Sequence, residues 1–196
     1  MAKVLILFAH PRLETSRVNI ALLNQLPKHP DLFFNDLYEM YPNFNIDVDR
    51  EKKLLLQADI IIWQHPLYWY SAPPLIKQWI DMVLEFGWAY GPGGTALSGK
   101  IAFNAITSGG PKESYSSTGH HRFTLKQFLA PYNRTTTLCN MLYLSPFAVQ
   151  GTHKLSEASL AEQTKTYHSL LMKFLNDDYD INEMQQAELL NDIIKA

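Results

Sequence analysis

Three stretches of the chain hold the residue types that could bind and work on a polar ligand: His10–Asn19 (HPRLETSRVN), Pro66–Tyr70 (PLYWY) and Thr107–Tyr115 (TSGGPKESY). The first leads into a helix start, where free N–H groups and the helix dipole attract an anion such as a phosphate. Ser16 and Asn19 add polar side chains there, Arg17 adds charge, and Val18 contributes its amide. The same residues also fit ordinary helix capping. Pro66, Leu67, Tyr68 and Trp69 offer backbone polar groups and flat apolar surface together, though aromatics of this kind also serve in cores and subunit contacts. Thr107, Ser108, Gly109 and Gly110 are small enough to let a planar ligand approach the backbone, and they equally suit a plain strand-ending turn. Tyr115, His120 and His121 follow in the same loop. Their polar tips suit charge developing on a reacting ring, while two adjacent surface histidines also read as simply solvated.

What these loops lack narrows the chemistry. Neither GxGxxG nor GxxxxGK[ST] is present, which argues against a dinucleotide-binding Rossmann fold and against a nucleotide hydrolase. A phosphate held by hydroxyls and amides, with a planar stacking surface nearby, suits flavin mononucleotide, whose ring needs a flat face and polar edge partners. No metal site is expected: the seven histidines are scattered and Cys139, the single cysteine, has no CxxC partner.

The elements that must position these loops read as alternating strands and helices. Lys3–Ala9 and Ile60–Trp63 are short apolar runs of the kind found in buried parallel strands. Strands are also expected at Leu32–Tyr38, Ile101–Thr107 and Leu142–Val149. Helices are expected after Ser16, over Asp49–Gln57, over Pro74–Phe86 with proline at its start, over Phe123–Leu129 and over Leu155–Leu175. This is an α/β pattern, a three-layer sandwich around a five-stranded parallel sheet. Its flavodoxin-like order 2-1-3-4-5 brings the loops after strands one, three and four to one crevice. Residues 1–176 form the flavin-binding domain on this reading, and 177–196 a C-terminal helical tail. Gly87–Lys100 holds five of the nine glycines and is a long, shaped connection.

The bulk properties set the surroundings. With 196 residues, 46% hydrophobic, 18% charged and a net charge of −2, the chain has room for one sizeable core. It gives no electrostatic reason to bind nucleic acid. One cysteine forms no intrachain disulfide, and the apolar N-terminal run is too short for a signal-peptide core. A cytoplasmic protein is expected.

Several motifs in order carry a resemblance over Val4 to about Phe147: Ala9-His10-Pro11, Asp36-Leu37-Tyr38 with Tyr41-Pro42, Phe44-Asn45-Ile46-Asp47, Gln64–Tyr70, Gly87-Trp88-Ala89-Tyr90-Gly91 and Gly93-Gly94. The chain resembles the NAD(P)H:quinone oxidoreductase family of flavodoxin-like fold, and within it the small ancillary subunits of the glutathione-gated Kef potassium-efflux systems. The resemblance implies FMN, with FAD possible, reduced by NAD(P)H and reoxidised by a quinone in a ping-pong cycle. It implies phosphate and ribityl contacts from His10 and Ser16–Asn19, and a flavin ring on Pro66–Trp69 and Thr107–Gly110. Tyr115 and His121 have the six-residue spacing of a catalytic tyrosine–histidine pair. A homodimer is implied, as is a Kef-type membrane partner that would hold the protein at the inner face of the cell membrane.

Overall fold

The apolar runs near residues 4, 60 and 101 form the middle of the sheet, where both faces are covered. In the computed structural model, which describes residues 1–194, the strands are β1 (Val4–Phe8), β2 (Leu32–Asp36), β3 (Ile60–Pro66), β4 (Ile101–Thr107), β5 (Leu142–Tyr143) and β6 (Phe147–Val149). All pairs are parallel, in the order β2-β1-β3-β4-β5, with β6 also on β4. Phe8 is level with Gln64, and Pro66 with Thr107, so the loops after β1, β3 and β4 leave the sheet at one edge.

Side-chain alternation along the strands builds two cores. Leu5, Leu7, Ile61, Trp63, Ala102 and Ile106 face one layer, which contains α3 (Val48–Gln57), α4 (Pro74–Val83), α5 (Leu125–Phe128) and α6 (Ala130–Leu138). Val4, Ile6, Phe8, Ile60, Ile62, Ile101 and Phe103 face the other, with α1 (Arg17–Asn24), α7 (Glu157–Leu175) and α8 (Ile181–Gln186). A one-turn helix, α2 (Leu37–Met40), ends the second strand earlier than the apolar pattern suggests. The Asp36 carboxylate accepts from the Tyr38 and Glu39 amides and starts that turn.

Where the elements depart from the sequence pattern, local chemistry explains it. The fifth strand is two short pieces rather than one run from 142 to 149. Pro146 has no N–H to give β4, and the Ser145 amide turns instead to the Met184 carbonyl. Helix α4 stops at Val83, short of Phe86. A single helix near 123–129 becomes α5 followed by α6. The second is masked in the sequence by the β-branched run Thr135–Thr137. Residues beyond Leu175 are held to the body, with Met184, Leu189, Leu190 and Ile194 buried. Lys195 and Ala196, the end of the expected tail, lie outside the described residues. Among the described residues, no helix is long and apolar enough to cross a membrane.

One fully buried carboxylate locks the layer beside the crevice. Glu51 accepts from Asn35 Nδ2 at 2.9 Å, Tyr41 Oη at 2.6 Å and Trp79 Nε1 at 2.8 Å, and also from the Arg50 guanidinium. These partners tie β2, α3 and α4 together. A buried charge is tolerated here because each oxygen is saturated with donors.

Candidate active site

The three loops converge on a cleft of about 480 Å³, within the size range of small-molecule sites. His10, Ser16, Arg17 and Val18 line one side, and Pro66, Leu67, Tyr68, Thr107, Ser108 and Gly109 the other. Hydrogen bonds beneath it fix the loops to one another. The buried Asn19 amide donates to Ser16 Oγ and to Thr107 Oγ1, each at 3.0 Å. The Leu67 amide donates to the Thr107 carbonyl at 2.7 Å. Asn19 therefore braces the cleft from below rather than lining it.

One end of the cleft lies at the start of α1. Ser16 caps α1 by accepting from the Asn19 amide, and the first-turn amides of Arg17 and Val18 have no intrahelical acceptor. The Arg17 side chain is already engaged, donating to Glu157 and to the Leu155 carbonyl. It ties α1 to the start of α7, its neighbour in the same layer. His10 is buried, and desolvation lowers its pKa, so it is neutral at physiological pH. Its Nδ1 accepts from the Arg12 amide, which leaves the ring proton on Nε2 as a donor.

A second cavity of about 230 Å³ adjoins the first and shares Leu67 and Gly109 with it. Tyr115, His121, Tyr70, Trp69 and Gly110 complete it. Tyr115 and His121 lie ring against ring, centroids 4.6 Å apart, and His121 Nδ1 is buried with no protein partner. Gly110 makes that pairing possible. A Cβ there would stand 2.8 Å from His121 Nε2 and 3.1 Å from Tyr115 Oη. The wall between β3 and α4 is a tight turn closed by the Ser71 amide on the Tyr68 carbonyl. Its central residues, Trp69 and Tyr70, both have positive φ, 47° and 65°. Non-glycine residues adopt this conformation at a cost and gather at functional sites when they do. Tyr70 is held by stacking on Phe128 and by edge contact with His121. Trp69 is 93% exposed.

A buried polar chain supports this wall from behind. His65 Nδ1 lies 2.9 Å from the Pro66 carbonyl, and its Nε2 3.0 Å from Asn104 Nδ2; Asn104 Oδ1 accepts from Tyr143 Oη at 2.6 Å. Because the Asn104 amide can only donate to Nε2, the His65 proton resides on Nδ1. Burial pushes the His65 pKa down to about 4, and this network favours the neutral ring.

Three cleft residues were not candidates in the sequence reading: Thr15, inside the first loop, and Thr152 and His153, on the loop after β6. That loop is joined to the β4 loop through the Ser108 amide on the Val149 carbonyl and the Thr152 amide on the Ser108 carbonyl. The His153 ring lies against Gly109, where a Cβ would meet its Nε2 at 2.6 Å. The one available signal was topological, since the loop after a fifth parallel strand also ends at the crevice.

Comparison with known proteins agrees with this architecture. Residues 2–171 match the family described as flavodoxin-like fold. The chain is 41% identical to the uncharacterized NAD(P)H oxidoreductase YdeQ of Bacillus subtilis, covering 84% of each protein. It is 40% identical to the glutathione-regulated potassium-efflux ancillary protein KefG of an Enterobacter species, covering 85% of this chain and 91% of that one. Among solved structures, general stress protein 14 of Treponema denticola in complex with FMN superposes with a TM-score of 0.80 at 35% identity, covering 89% and 98% of the two chains. An NADPH-quinone reductase of P. pentosaceus gives 0.78 at 27% identity, covering 86% and 96%. The parallel sheet order, the crevice at its switch point and the match over residues 2–171 place this chain in the family of flavodoxin-like fold.

Proposed function

We propose that this chain is a flavin-dependent NAD(P)H:quinone oxidoreductase, with FMN in the larger cleft and the electron donor and acceptor taking turns in the smaller one. The observation that carries this reading is the pair of cavities sharing Leu67 and Gly109, one ending at a helix N-terminus and the other lined by Tyr115 and His121. FMN fits what lines the larger cleft. The α1 amides and neutral His10 suit a phosphate held without a metal, Pro66–Tyr68 and Thr107–Gly109 suit a planar ring, and a side chain at Gly109 would close the space against His153. When bound, FMN supplies two-electron hydride chemistry, drawing on NAD(P)H and delivering to a quinone in ping-pong order.

The chain's own residues perform the rest. His10 Nε2–H and the first-turn amides would hold the phosphate. Leu67 and Gly109, which line both cavities, would border the space where donor and acceptor meet the ring. Tyr115 Oη and the unpartnered His121 Nδ1 stabilise charge that develops during transfer, a preorganised electrostatic role. Exposed Tyr68, Trp69 and Tyr70 beside the smaller cavity favour a homodimer contact there. Purification tests the reading. The protein should carry or take up FMN and then reduce quinones with NAD(P)H; a protein that takes up neither FMN nor FAD would overturn it.

The similarity to KefG favours a second role, regulatory binding to a Kef-type potassium-efflux protein at the inner membrane face. Deleting the gene should lower potassium efflux, and a Tyr115→Phe variant should restore it. Efflux unchanged by deletion would exclude this role.

A further inference from the structure

The loop that carries Tyr115 and His121 has only one turn of 3₁₀ helix, Lys112–Ser114, between Thr107 and α5. Both of its ends are attached to the C-terminal segment. At the start, Lys112 Nζ lies 3.6 Å from Asp192 Oδ1. Past its end, Lys126 Nζ donates to the Ala187 carbonyl at 2.6 Å and lies 3.9 Å from Glu188.

Between these attachments, the tail takes the place of a sheet neighbour. Asn191 Oδ1 accepts from the Ala148 amide at 2.8 Å, and Asn191 Nδ2 donates to the Ala148 carbonyl at 3.1 Å and to Gln163 Oε1 at 2.7 Å. One side-chain amide thus satisfies both backbone groups of an edge-strand residue. The Leu190 amide donates to the Pro146 carbonyl, and Ser145 Oγ donates to the Ala187 carbonyl at 2.7 Å. From β6 the connection continues to the site through Ser108 on Val149 and Gly151 on Gly110. Each surface ion pair contributes little alone. The Asn191 amide and the buried Leu189 and Leu190 supply the anchorage that gives the pairs fixed geometry. This segment lies beyond residue 171, where the family match ends.

We propose that residues 184–192 are a strap that positions the Tyr115–His121 loop against Gly110, with Asn191 and Asp192 as positioning residues for hydride transfer. The transfer role rests on the reductase reading; the strap itself does not.

The test uses the full-length Asn191→Ala and Asn191→Ala/Asp192→Ala variants. In flavin-free protein, amide exchange over residues 111–124 and tryptic cleavage after the exposed Arg122 should both quicken by about tenfold, with β1 and β3 unchanged. In flavin-loaded protein, hydride transfer should fall about tenfold while flavin affinity stays within about twofold, as expected of misplaced groups. Loop exchange that does not change, or that rises equally in the central strands, would overturn the strap. A loosened loop with an unaltered transfer rate would overturn its positioning role. If wild type itself shows no turnover, the reductase reading fails and the exchange result alone decides the strap.

Discussion

At the scale of single residues, the account turns on a few atoms. Removing the imidazole in His121→Ala should slow flavin reduction or reoxidation by about 10²-fold, measured by stopped-flow, with FMN affinity preserved. Gly110→Ala should reproduce much of that loss with both rings chemically intact, because its Cβ would fall 2.8 Å from His121 Nε2 and displace it. Full activity in Gly110→Ala would mean that the close approach of loop and rings is irrelevant to chemistry. The residues carrying this site were legible where composition was unusual: the small residues after β4, the aromatics after β3, and the hydroxyl- and amide-bearing turn before α1. Two of these residues also have structural partners. Arg17 is tied to Glu157 at the start of α7, and Asn19 braces Thr107 from below. The positions of Thr152 and His153 depend on how the last strand ends, and no local pattern marks them.

At the scale of elements, polar groups inside the layers do as much as apolar periodicity. Glu51→Ala should destabilise the fold by about 3–5 kcal/mol in urea titrations, because it strands the donors of Arg50, Trp79 and Tyr41 around an empty site. A loss under about 1 kcal/mol would show that the network contributes little. The strands β1, β3 and β4 were readable because burial on both faces makes them continuous apolar runs. The split between β5 and β6 was not, since the partner that draws Ser145 away from β4 lies about forty residues further along the chain. Glu51 was hidden for the same reason: its donors come from β2, the segment after α2, α3 and α4, and its identity alone suggests a solvated helix face.

At the scale of the whole molecule, the buried histidines couple stability to pH. Both His10 and His65 are desolvated, with pKa values held below that of an exposed histidine. At these two groups the unfolded chain therefore binds more protons than the fold in mildly acid solution, so their contribution to stability rises with pH through this range. For His65, whose folded value is about 4, the loss should develop as pH falls from about 6.5 to about 4 and reach roughly 3 kcal/mol. Unfolding free energies at pH 7 and pH 4.5 should differ less in His65→Gln, which keeps a hydrogen-bonding side chain without the titration. An equal pH dependence in both proteins would remove His65 from the account. The most direct test of the central claim is the absorbance spectrum of the purified, FMN-incubated protein, followed through addition of NAD(P)H and then a quinone. The account predicts a bound flavin spectrum that bleaches with NAD(P)H and returns with the quinone; a desalted protein that retains no flavin would contradict it.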